Sequence, residues 1–102
     1  MGFGDSISVD AMLFIEIKDR VYRYQFEKAV NSIGTAEDNV IRIKDPSLAS
    51  HHMMISYVDG NFFLRRVEDA PVRLNGERLD SYTEELRYGD VITAGELKLR
   101  LA

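Results

Sequence analysis

The sequence predicts an all-β fold, a sandwich of about ten to eleven short antiparallel strands. Three observations carry that expectation. Apolar and polar residues alternate in steps of two, as at Leu13, Ile15 and Ile17 and again at Leu97, Leu99 and Leu101, which is the period of a strand with one buried face. Two-residue turn signals, Asp59-Gly60 and Asn75-Gly76, separate alternating segments. No stretch carries a convincing helical pattern.

The elements follow in order. Residues 1–11 are small and polar and read as a flexible leader; 12–102 read as a single domain. Leu13, Ile15 and Ile17 mark a first strand, and Asp19-Arg20 turns the chain. Tyr22, Tyr24 and Phe26 mark a hairpin partner, and this aromatic stripe reads as core rather than a ligand platform. A third strand covers 29–33 and ends at Gly34. Glu37, Asp38 and Asn39 form a loop before a short strand over 40–43. A polar loop follows, in which Pro46 fixes φ while Asp45 and Ser47 bond the local backbone. Strands over 53–58 and from Phe62 flank Asp59-Gly60, and a second loop spans 68–71. Val72 to Leu74 and Glu77 to Leu79 flank Asn75-Gly76, Gly95-Glu96 is another turn, and the last strand runs over 97–101.

Composition narrows the function. A chain of 102 residues suits one domain, and a formal charge of −4 offers no basic signature for nucleic acid or an anionic membrane. With no Cys there is no disulfide framework and no thiol chemistry. No apolar run approaches a membrane span and no signal peptide is visible, so the expected location is cytoplasmic. Ending directly after a strand suggests an excised piece of a longer protein.

The segment 33–55 then carries a resemblance. Gly34, Asn39, Ile41, Ile43, Asp45, Pro46 and His52 match, without a gap, the signature of the forkhead-associated (FHA) domain, Gly-Arg, Asn-x-Ile-x-Ile/Leu, Asp-Pro and Ser-Arg-x-His. Asn75-Gly76 matches the family's structural Asn-Gly, and Leu86-Arg87-Tyr88-Gly89-Asp90-Val91-Ile92 resembles its closing motif. The resemblance covers 13–101 and implies the FHA (SMAD/FHA) sandwich, with Gly34, the 45–52 loop and the 68–71 loop at one end. It implies a loop-bracing role for the residue at His52 and a phosphothreonine-peptide site in the family. Four positions depart. The family's Arg after Gly is Thr35, its loop Ser and Arg are Ala49 and Ser50, and the Asn of its second loop is Ala70.

His51 and His52 are adjacent on an extended chain, point to opposite faces and have no Cys or spaced acidic partners, so a metal site is not expected. Asp45, Ser50 and His51 hold the residue types of a hydrolase triad, but three residues of one short loop do not supply its geometry. No nucleophile elbow or phosphate-cradling glycine loop is present. No enzyme, cofactor or metal is therefore expected. Thr35, Lys44, Ser47, Ser50, His51 and Arg73 form a candidate binding rim, with a solvated loop rim as the plainer reading. Gly34, His52, Asn75 and Gly76 are assigned structural roles.

The expected function is a non-catalytic, phospho-independent protein-interaction module within a larger signalling or assembly protein. Its partner would be a protein or a neighbouring domain, with no nucleic acid and no direct membrane contact. Two alternatives stand beside it: a phosphothreonine reader with substitute ligands, and a structural cytoplasmic domain like those of bacterial secretion-apparatus ring proteins.

Overall fold

The computed structural model describes residues 6–102. Of the expected leader, residues 1–5 lie outside that range. The described residues form eleven strands: β1 (Met12–Ile17), β2 (Arg20–Gln25), β3 (Val30–Gly34), β4 (Ile41–Arg42), β5 (Met53–Val58), β6 (Asn61–Arg66), β7 (Arg73–Leu74), β8 (Glu77–Arg78), β9 (Thr83–Leu86), β10 (Val91–Ala94) and β11 (Leu97–Leu101). One sheet has the order β2-β1-β11-β10-β7-β8, the other β4-β3-β5-β6-β9.

Turn chemistry sets the hairpins. Asp59 and Gly60 join β5 to β6 with φ of 50° and 87°, and Asn75 and Gly76 join β7 to β8 with φ of 52° and 86°. Positive φ at both central residues is what a type I′ turn requires, and it matches the right-handed twist of the flanking strands. Asn75 does more than turn. Its Oδ1 accepts from the Val91 N–H at 2.9 Å, and its Nδ2 donates to Asp90 at 3.0 Å.

The period-two alternation becomes the core. Leu13, Ile15 and Ile17 of β1 lie opposite Leu101, Leu99 and Leu97 of β11. Leu13, Leu99 and Leu101 are fully buried, as are Ile33, Met53, Ile55 and Leu64 from the facing sheet. Each such side chain contributes about 1.5–3 kcal/mol relative to exposure. Phe26 and Tyr57 both pack their rings 4.8 Å from Phe62, closing the core near the β5–β6 turn.

Three expectations need correction or extension. The strands are not all antiparallel: β3 and β4 pair in parallel, with Ile33 opposite Ile41. This follows from the chain leaving β3, looping through Asn39 and returning along the same edge. The aromatic stripe is only partly core. Phe26 is 1% exposed, but Tyr22 is 47% exposed. Tyr22 lies opposite Ile15 on the inward face, yet the facing sheet ends there in the two-residue β4 and cannot cover it. The described part of the leader is also held. The Ile7 N–H donates to the Glu27 carbonyl, Ser6 bridges Lys28, and Ala11 is 1% exposed.

No helix among the described residues is long and apolar enough to cross a membrane.

Candidate functional site: an apical groove between two loops

The 45–52 loop is folded by its own polar residues. Asp45 Oδ1 accepts from both the backbone N–H of Ser47, at 2.9 Å, and the Ser47 hydroxyl, at 2.6 Å. These bonds stabilise the charged carboxylate, so the Asp45 pKa is lowered, with Lys18 at 3.4 Å adding to the effect. Ser47 Oγ also accepts from the Glu96 N–H at 3.0 Å, anchoring the loop to the β10–β11 turn. A Cβ on Gly95 would collide with Ser47.

His52 ties the loop to its neighbour. The residue is 2% exposed. Nδ1 accepts from the Ala49 N–H at 3.0 Å, and Nε2–H donates to the Pro71 carbonyl at 2.9 Å. One neutral tautomer satisfies both. Its backbone bonds Ile33 on one side and Val67 on the other. The far side of the loop is held by Asn39, whose Nδ2 donates to the Ala36 and Ser50 carbonyls at 2.9 and 2.7 Å. Thr35 and Ala36 donate their N–H groups to the Ala49 and Ser50 carbonyls. Gly34 sits under this junction, and a Cβ there would run into the Ser50 backbone.

The result is an open groove lined by Ala49, His51, Val67, Glu68, Asp69, Ala70 and Tyr82. Its charge is the notable property. Among the described residues no Lys or Arg lines it, Glu68 and Asp69 do, and His51 Nε2 lies 2.8 Å from the Asp38 carboxylate. Arg66 approaches Tyr82, with its guanidinium 4.9 Å from the ring centre, but it donates to the Asp80 carbonyl.

The six rim residues expected from the sequence do not converge. Thr35, Ser50 and His51 adjoin Ala49 at the apical end. Lys44 lines a cleft on the side of the sandwich. The Ser47 hydroxyl is committed to Asp45 and Glu96. Arg73 lines a separate cleft with Arg66 and Arg78, and its Nη1 donates to the Gly76 carbonyl at 3.2 Å. The resemblance placed the 68–71 loop beside the 45–52 loop, but Glu68, Asp69 and Tyr82 were not among the expected rim residues, because which side chains line a groove between loops leaves no local pattern. Sequence reasoning also passed over Asn31, fully buried, whose Nδ2 donates to the Lys28 and Ile55 carbonyls while Oδ1 accepts from the Tyr24 hydroxyl at 2.6 Å. An Asn within an apolar strand was the available signal.

Comparison with known proteins agrees with this fold. No curated protein matches the sequence. Solved structures do. The FHA domain of CT664 from Chlamydia trachomatis superposes with a TM-score of 0.81 at 14% identity, over 90% of this chain and 95% of that one. The FhaA FHA domain complexed with the intracellular domain of Rv3910 gives 0.72 at 21%, over 88% and 99%. EmbR of Mycobacterium tuberculosis, solved with a low-affinity phosphopeptide, gives 0.72 at 22%, over 88% of this chain. The chain spans 24% of the length of EmbR and 29% of that of Rad53. At these identities the structures share the fold. The FHA domain family model matches residues 31–95, from the third strand through the β10–β11 turn, and the chain belongs to the FHA domain family of protein-interaction modules.

Proposed function

We propose that this domain is a non-catalytic interaction module whose binding does not depend on phosphothreonine, and that it serves a larger signalling or assembly protein in the cytoplasm. The carrying observation is the charge of the apical groove: Glu68 and Asp69 line it, no Lys or Arg does, and its one imidazole is paired with Asp38. A phosphothreonine brings about −1.5 to −2 charges and calls for charge-assisted donors. Each such bond is worth about 1.5–3 kcal/mol, so losing two costs roughly 3–6 kcal/mol, or about 10²–10⁴ in affinity. Thr35 has no fork to replace an arginine. The scaffold role falls to Gly34, Asn39 and His52, while Thr35, Ser50 and His51 are the surface a partner meets. Similar structures include both a phosphopeptide complex and a complex with a protein domain; the second mode is the one proposed here.

Calorimetry with a degenerate phosphothreonine library and its unphosphorylated control at physiological salt tests this. Equal, weak heats are expected. Micromolar binding that vanishes on dephosphorylation would overturn the reading.

A further inference from the structure

The sandwich is open along one side. Between β1 and β2 of one sheet and the short β4 of the other lies a cleft of about 720 Å³. Its walls include Ile15, Ile17, Ile41, Ile43 and Tyr22, side chains of the type that closes a core. Ile15 and Ile41 are nearly covered, at 5% and 7% exposed, whereas Ile17 and Ile43 are half-buried and Tyr22 is 47% exposed, so the floor of the cleft is core and its apolar rim is open. The cleft is also cationic. Among the described residues Lys18, Arg20, Arg42 and Lys44 line it, against Asp19 and Asp45. Lys18 is paired with Asp45 at 3.4 Å and Arg42 with Glu37 at 3.9 Å, so the excess positive charge rests on Arg20 and Lys44. A chain with a net charge of −4 thus concentrates positive charge around an apolar cleft.

We propose that this lateral cleft docks an extended segment of a partner protein in which aliphatic and acidic residues alternate. The proposal rests on reading the domain as a phosphate-independent module and adds to its apical surface a second contact surface with its own ligand class. Three features select the occupant. Alternate residues of an extended chain point to opposite sides, so such a segment presents aliphatic side chains to the isoleucines and carboxylates to the cations. β2 is the outermost strand of its sheet, and an edge strand keeps a row of backbone N–H and C=O groups available for an added strand. The site is concave, which suits a single segment, whereas a membrane needs a convex or flat cationic face and is repelled by the net negative charge.

The test is selection of displayed random 12-residue segments on the intact domain, followed by calorimetry of the enriched peptides at low and physiological salt. The expected peptides alternate Asp or Glu with Ile, Val or Leu. Their affinity falls with salt and falls at least tenfold for Arg20→Glu/Lys44→Glu. That variant exchanges two exposed charges and keeps its melting temperature within a few degrees, and the remote control Tyr88→Ala binds as the parent does. Enrichment without an acidic preference, no enrichment, or binding to anionic vesicles in place of peptides overturns the proposal. Binding lost in His51→Ala/Ala70→Glu but kept in the cleft variant overturns it while leaving the module reading intact. Phosphate-dependent binding in the separate library experiment would instead remove the module reading.

Discussion

The apical groove and the lateral cleft are opposites in construction. At the groove, the backbone is bonded at nearly every step, through His52, Asn39 and the 35–36 to 49–50 contacts, yet its lining is acidic and short of donors. At the cleft, Ile17, Ile43 and Tyr22 are left partly uncovered, and the rim carries Arg20 and Lys44 beside the paired Lys18 and Arg42. The framework that holds a family's ligand loops is therefore separable from the side chains that give those loops their chemistry. Framework contacts are buried and mutually dependent, so single changes there are costly. Rim side chains are solvated, and they change at little cost to stability.

The sharpest way to break the comparison is Gly34→Ala. A Cβ there meets backbone rather than a movable side chain, so the strand and the loop must separate. A loss of about 3 kcal/mol is expected in urea unfolding, at the upper end of the usual cost of overpacking. A loss under about 1 kcal/mol would show that the apical backbone yields easily.

Next comes His52→Ala, expected to cost about 2 kcal/mol because two buried partners, the Ala49 N–H and the Pro71 carbonyl, lose their bonds. For a domain of this size that lowers the melting temperature by roughly 10 °C. His51→Ala removes only an exposed pair with Asp38, worth less than about 1 kcal/mol. Equal shifts for the two variants would contradict the division between framework and rim.

The smallest effect concerns pH and joins the two regions, since Asp45 belongs to the apical loop and lines the cleft. Its folded-state pKa is lowered from an ordinary value of 3.8, first by the Ser47 hydroxyl and then by the Ser47 N–H. A carboxyl with a depressed folded value binds fewer protons when folded than when unfolded. Its contribution is present above about pH 4 and is lost as pH falls through the folded value. Unfolding midpoints between pH 6 and pH 2.5 should show the parent's advantage over Asp45→Asn shrinking at the acid end. A constant or growing advantage would exclude a charge-dependent role.

Much of the fold was legible beforehand because its determinants are local. Asp59-Gly60 and Asn75-Gly76 specify turns through φ, and alternation at Leu97, Leu99 and Leu101 specifies a buried face whatever it packs against. Tyr22 was not legible, because its alternation with Tyr24 and Phe26 is the same as theirs. Tyr22 sits where the facing sheet ends in the two-residue β4, whereas Phe26 packs on Phe62 of that sheet, and this separates 47% exposure from 1%.

The candidate site divides in the same way. The residues of the 33–55 signature and their departures at Thr35, Ala49 and Ser50 stand in the sequence, as does the expectation that His52 braces the loop. Tertiary structure decided that Glu68, Asp69 and Tyr82 line the groove beside His51, that the Ser47 hydroxyl turns to Asp45 and Glu96, and that Lys44 and Arg73 enter different clefts. It also decided that β4 runs parallel to β3 and stops after two residues. The physical reason is range. Turn φ and face alternation are set by neighbours along the chain, whereas cover, charge convergence and the commitment of a hydroxyl depend on which distant segments the two sheets bring together.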